Sequence, residues 1–239
     1  MNENHYDEIH VEKEIKKPDI IDVDIKSMTN NIIDPSPIGV FGLAIGAWIL
    51  SMTDFGTASG ENEVRIAWIA WLPSIAQLLA GFYDSFRGNV FGATSFVGYA
   101  FYWFSLTGAW YAARDVDYKA EHEFLYFAVV DICFFIFTIY ELAFALGINL
   151  VLSAILFFIL GSLLSCALQI INGISPKVNA TFLMIISLLS FWFSLGGIFN
   201  GAAGGNLIPM GPGLWKWDEV IINLKKKQEE KLNEKINLN

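Results

Sequence analysis

Long apolar runs, broken by short polar stretches, fill the middle of the chain and leave both ends polar. The runs extend roughly from Pro35 to Thr53, Ile66 to Phe82, Val90 to Ala112, Phe124 to Ala145, Leu150 to Ile171 and Ala180 to Phe199. Each is long enough to cross a hydrocarbon core of roughly 30 Å as an α-helix. Lipid leaves no backbone group unpaired, so a spanning chain is either helical or a closed barrel, and these runs lack the two-residue alternation of barrel strands. The pattern predicts an all-α integral membrane protein with a bundle of six transmembrane helices. Pro35 and Pro37 fit the first turn of the first helix, where a missing N–H costs nothing, and Pro73 predicts a kink in the second.

Composition supports this reading. The 239 residues are 54% hydrophobic and 16% charged, well short of the quarter or so typical of soluble domains. Residues 1–34 read as a disordered cytoplasmic tail, 35–200 as the transmembrane domain, and 201–239 as a cytoplasmic C-terminal segment. That last segment contains an interfacial helix over residues 214–236, led by Trp215 and Trp217. No apolar segment precedes Ile32, so the first span is expected to serve as its own insertion signal. Basic residues set the orientation. With both termini in the cytoplasm, Lys13, Lys16, Lys17, Lys26, Arg87 and the six C-terminal lysines lie inside, and only Arg65, Arg114, Lys119 and Lys177 lie outside.

Catalytic signatures are missing from the sequence. There is no P-loop, HExxH or GxSxG motif, and the three histidines, His5, His10 and His122, fall outside the spans. No enzyme activity, cofactor, metal or nucleic-acid partner is therefore expected. Cys133 and Cys166 sit in apolar runs and read as small buried hydrophobes. The polar residues within the spans carry more information. Gln77 suggests a partner helix or a watered path, Asp84 and Arg87 are spaced to pair, and Thr94 lies on a ridge of small residues on the third helix. Asp131 and Glu141 are acids in the fourth span, and an acid in hydrocarbon is a functional candidate. Asp131 is a possible proton site or an interhelical hydrogen-bonding group, and Glu141 is expected to reach headgroups or water.

Two segments resemble the acetate uptake transporter family (the succinate–acetate permease, or GPR1/FUN34/YaaH, family). Asp34-Pro35-Ser36-Pro37-Ile38-Gly39-Val40 is similar to its first-helix Asn-Pro-Ala-Pro-Leu-Gly-Leu signature. Gly88, Asn89, Phe91, Gly92, Thr94, Phe96, Tyr99 and Trp103 match a second signature on the third helix, and residues 204–211 resemble the family's C-terminal Leu-Pro-x-Gly. Two departures stand out: Asp34 replaces the signature Asn, and Gly46 and Ala47 replace hydroxyl-bearing residues.

The resemblance implies a pore through each protomer, assembly as a homo-hexamer, and transport of acetate or a similar small monocarboxylate, sometimes succinate, by proton-coupled or channel-like passage. It also implies a constriction at Leu43, Tyr99 and Phe157, with Phe158 as the alternative on the fifth helix. Asp34, Gln77, Asn89 and Thr94 are then expected at the pore mouth and its polar lining. The expected partners are a small carboxylate, protons and the bilayer, and the expected location is the plasma membrane. A neutral small-solute or ammonia channel and a membrane sensor or scaffold are the alternatives.

Overall fold

The computed structural model describes residues 33–57, 62–113 and 125–237. Most of the predicted N-terminal tail (residues 1–32), together with Arg114, Lys119 and all three histidines, lies outside the described residues. The described residues are helical with no strand: α1 (Ser36–Asp54), α2 (Asn62–Arg87), α3 (Val90–Ala113), α4 (Leu125–Ala145), α5 (Leu150–Asn172), α6 (Pro176–Ala203) and α7 (Trp217–Asn237). Each apolar run of the sequence is thus helical. Among the described residues α1, α4, α5 and α6 are long and apolar enough to cross a membrane.

Helices α1 to α6 pack in sequence, each against the next, and α6 returns to α1. The result is a ring with space at its centre. Small residues permit the closest approaches. A Cβ at Gly42 would lie 2.8 Å from Ala76 Cβ and 3.1 Å from Pro73 Cα, so α1 and α2 meet backbone to backbone there. Three serine hydroxyls join α1 and α6: Ser51 donates to the Ala180 carbonyl (2.8 Å), Ser187 to Ala44 (2.7 Å) and Ser194 to Pro37 (2.7 Å). The α3–α4 seam is the loosest in the ring and is filled by aromatic rings rather than by close backbones.

Local chemistry explains how α2 tolerates its proline. Pro73 has no N–H for the carbonyl four residues earlier, and the buried Ser74 hydroxyl donates to that Ile69 carbonyl instead (3.2 Å). The turn from α2 to α3 is two residues, Gly88 and Asn89, with Gly88 at φ 71°, a conformation that favours glycine. Beyond α6, residues 204–217 form a strap. Asn200 clamps the backbone of Ile208 from both sides, Met210 accepts from the Val151 N–H (3.1 Å), and Leu214 donates to Leu146 (2.6 Å). Val151 lies in the first turn of α5, whose N–H groups have no partner within the helix, so the strap caps that helix. Helix α7 starts with Trp217 stacked on Phe144 at 5.1 Å. Cys133 and Cys166 are both free.

Candidate functional site

A cavity of about 370 Å³ occupies one end of the ring. The beginnings of α1, α3 and α5 meet the ends of α2 and α4 there, so three helix N-termini, each with a partial positive charge, border the same opening.

The mouth is polar. Arg87 Nη1 donates to Asp34 Oδ1 (2.9 Å) and to Asp84 Oδ1 (2.8 Å), joining the start of α1 to the end of α2. Asp34 also accepts from the Ser36 N–H (3.1 Å) and hydroxyl (2.8 Å). Asn89 caps α3 by accepting from the Gly92 N–H (3.2 Å), and Asn149 caps α5 by accepting from Leu152 (2.8 Å). Asp34, Arg87, Asn89 and Asn149 all line the cavity.

Deeper in, the wall turns apolar. Leu43 from α1, Tyr99 from α3, and Ile155, Leu156 and Ile159 from α5 converge, and all five are buried. The Tyr99 hydroxyl lies 2.8 Å from Thr138 Oγ1 on α4. Thr138 gives its only proton to the Phe134 carbonyl (2.7 Å), so Tyr99 is the donor of the pair. Two polar side chains interrupt the apolar wall. Gln77 is 1% exposed, and its Oε1 has no hydrogen-bond partner among the described residues. Glu141, 6% exposed, is hydrogen-bonded to the Ser95 hydroxyl.

Of the residues singled out in the sequence, Asp34, Leu43, Gln77, Asn89 and Tyr99 come together around the cavity. Phe157 does not. It is 60% exposed on the outer side of α5, and Phe158 packs between helices against Phe182. One residue is about 100° of helix, so the side chain facing the cavity from that turn is Leu156. Thr94 is also turned outward, and its neighbour Ser95 supplies the hydroxyl on the cavity. Asp131 is buried off the cavity and accepts from the Tyr102 hydroxyl (2.9 Å). Glu141, expected near headgroups or water, lines the cavity. Its spacing of three from Thr138 signals a shared helix face, but which face turns inward depends on packing that one helix's sequence does not carry.

A ring of apolar helices around a cavity with a polar mouth and an apolar floor defines the class, an integral membrane protein with an internal site. The profile of the GPR1/FUN34/yaaH family matches residues 22–206, and the chain belongs to that family. It is 30% identical over 115 residues to the Meiotically up-regulated gene 86 protein of Schizosaccharomyces pombe, covering 45% of this chain and 37% of that protein. It is 28% identical over 75 residues to the Succinate-acetate/proton symporter SatP of Escherichia coli K12, covering 31% of this chain and 39% of that protein. Both matches span well under half of the relative's length. The fold matches a solved structure described as the bacterial acetate channel SatP, with a TM-score of 0.67 and 22% identity over 74% of this chain and 98% of that one.

Proposed function

We propose that this protein carries acetate or a similar small monocarboxylate across the plasma membrane, through the centre of a six-span ring with both termini in the cytoplasm. Each protomer has its own path, and protomers assemble as a homo-hexamer. Family membership and the relative named as a succinate-acetate/proton symporter support the substrate class.

One observation carries the reading: a polar mouth holding Arg87 and three helix N-termini opens into a cavity lined deeper in by the buried Leu43, Tyr99 and Leu156, which in this reading form the narrowing. The mouth faces an anion with the partial positive ends of three helices and with Arg87, which Asp34 and Asp84 share. The narrowing forces the solute to shed water, which a small weak acid does at least cost when protonated. In this reading Leu156 takes the place expected of Phe157. Succinate, with a second carboxyl group to dehydrate, passes more slowly than acetate.

Uptake of radiolabelled acetate into proteoliposomes, with and without an inward proton gradient, tests the proposal. Gradient-stimulated uptake suppressed by unlabelled acetate is expected of a proton-coupled carrier. Saturable uptake indifferent to the gradient identifies a channel. Folded protein that passes no acetate under either condition overturns the proposal. The second reading, a neutral-solute channel, draws on the two carboxyl groups, Asp34 and Glu141, that share the cavity with Arg87. Ammonia flux exceeding acetate flux in the same vesicles would favour it.

A further inference from the structure

Three hydrogen-bonded pairs cross the α3–α4 seam in register. Ser95 pairs with Glu141, Tyr99 with Thr138, and Tyr102 with Asp131. The α3 members are spaced four and three residues apart, and the α4 members three and seven, so each set lies on one helix face. Along α4 the two carboxyl groups stand about 15 Å apart. Glu141 lines the cavity, Asp131 lies off it, and the Tyr99–Thr138 pair stands between them along the seam, at the narrowing proposed above.

The Ser95 rung has a particular logic. Its hydroxyl oxygen is within hydrogen-bonding reach of the Phe91 carbonyl (2.7 Å) as well as of Glu141 Oε2. A serine hydroxyl has one proton, and a carbonyl can only accept. When Ser95 donates to Phe91, the Glu141–Ser95 bond needs a proton from Glu141, which must then be the neutral acid. When Glu141 is ionised, Ser95 turns its proton to the carboxylate. The rung therefore has two hydrogen-bonded arrangements, one for each protonation state of Glu141.

We infer that the α3–α4 seam is the proton path of this protein, with Glu141 the proton-binding group in the cavity and Asp131 its counterpart on the far side of the narrowing. This rests on the proposed transport of a small carboxylate, which it deepens by naming the coupling groups. A proton taken up at Asp131 moves along the seam to Glu141 by reorientation of the hydroxyls between the rungs. The neutral Glu141 then admits a carboxylate anion that its ionised form repels, and regains its ionised form by releasing the proton through the cavity mouth. Across the two sites no proton is created or lost: one leaves Asp131 and one is bound at Glu141.

Among the described residues, the other charged or titratable groups around Glu141 are Tyr99 on α3, Asp34 at the start of α1, and Arg87 with its partner Asp84 on α2. From α5 the cavity receives only Asn149 and apolar side chains, and from α6 only Phe193. Lys216, before α7, is exposed and paired with Glu219. No cation is hydrogen-bonded to Glu141 among the described residues.

The test compares Glu141→Gln, Asp131→Asn and the unaltered protein in lipid, by two readouts. The first is the infrared difference spectrum between acid and alkaline pH, which reports carboxyl C=O groups whether or not acetate moves. A titrating carboxyl band that disappears in Glu141→Gln and persists in Asp131→Asn is expected. The second is acetate uptake, where both variants should lose stimulation by the proton gradient. A difference spectrum unaltered in Glu141→Gln, or full gradient stimulation in either variant, overturns the inference. A titrating Glu141 band in unaltered protein that takes up no acetate would sink the transport proposal and leave the proton site standing. Should Glu141→Gln fail to fold, Ser95→Ala serves instead. Removal of the two-state hydroxyl should shift the Glu141 band, and an unmoved band counts against the seam.

Discussion

Arg87 lies 2.9 Å from Asp34, a carboxylate fifty-three residues earlier in the chain, and with the same nitrogen reaches Asp84 at 2.8 Å. An acid at the mouth of an anion path looks like a barrier, yet one guanidinium here is shared between two carboxylates. Asp34 is more than half exposed, while the Asp84 side chain is fully buried. Asp84 is therefore the partner that Arg87 cannot lose cheaply, because a buried charge stripped of its partner is costly.

Asp34→Asn should accordingly be tolerated and should raise acetate uptake at low ionic strength. Exposed ion pairs are weak and screened by salt, so the rise should stay within about five-fold and fade as salt increases. Initial uptake rates measured at two salt concentrations decide it. A fall in uptake that persists at high salt would mean that Asp34 holds the mouth open through its bonds to Ser36 rather than acting by charge.

The width of the narrowing should depend on Leu156 and be indifferent to Phe157. Leu156 is 4% exposed and lines the cavity, and Phe157, about 100° further round the helix, is 60% exposed. Leu156→Ala should raise the ratio of succinate to acetate flux, and Phe157→Ala should leave it unchanged. Truncating a buried leucine costs about 2–5 kcal/mol where the site is tightly packed, so the ratio is to be measured on protein shown to be folded by gel filtration. Equal ratios in the two variants would remove Leu156 from the constriction.

That contrast also marks where sequence reading succeeds and where it stops. Apolar length in the sequence marks runs that are helical in the structure, four of them long and apolar enough to cross a membrane among the described residues, and the signature residues Leu43, Asn89 and Tyr99 meet at the cavity because α1 and α3 carry the specific motifs. The fifth helix is apolar all round, so nothing in its letters separates Leu156 from Phe157, and a one-residue error turns the side chain by about 100°. Thr94 and Ser95 present the same ambiguity on α3. Glu141 was visible as an acid in a span, but its partner lies on another helix forty-six residues away. No periodicity within one helix encodes that pairing. Asp84 and Arg87 were legible as a pair because three residues on a helix bring two side chains together whatever the tertiary fold.

Tyr99→Phe should separate the size of the ring from the role of its hydroxyl. The phenol donates to Thr138, whose own proton goes to Phe134. Loss of the phenol removes one neutral hydrogen bond, about 0.5–1.5 kcal/mol, and leaves Thr138 with its carbonyl partner. Thermal unfolding in detergent should fall by a few degrees, while the low ratio of succinate to acetate flux, set by the unchanged ring, should persist. A variant in which that ratio rises would show that the hydroxyl, and not the bulk, is selective.

The strap after α6 makes a further prediction through Gly213. A Cβ placed there would lie 2.7 Å from both the carbonyl carbon and oxygen of Gly147. Both are backbone atoms held by the α4–α5 turn, so neither can swing aside as a flexible side chain would. Gly213→Ala should therefore lift the strap, at an overpacking cost of about 1–3 kcal/mol. This would break the adjacent bond from Leu214 to the Leu146 carbonyl and loosen the stacking of Trp217 on Phe144. Gly205, whose added Cβ would meet nothing within 4 Å, provides the matched control. Limited trypsin digestion reads the difference at Lys216, whose side chain is exposed while the backbone beside it is held by the strap. Cleavage needs local unfolding of the backbone, so Gly213→Ala should be cut faster than Gly205→Ala. Equal rates would mean that the strap is released as readily in the unaltered protein, and that Ile148 and Asn149 at the cavity mouth keep their places without it.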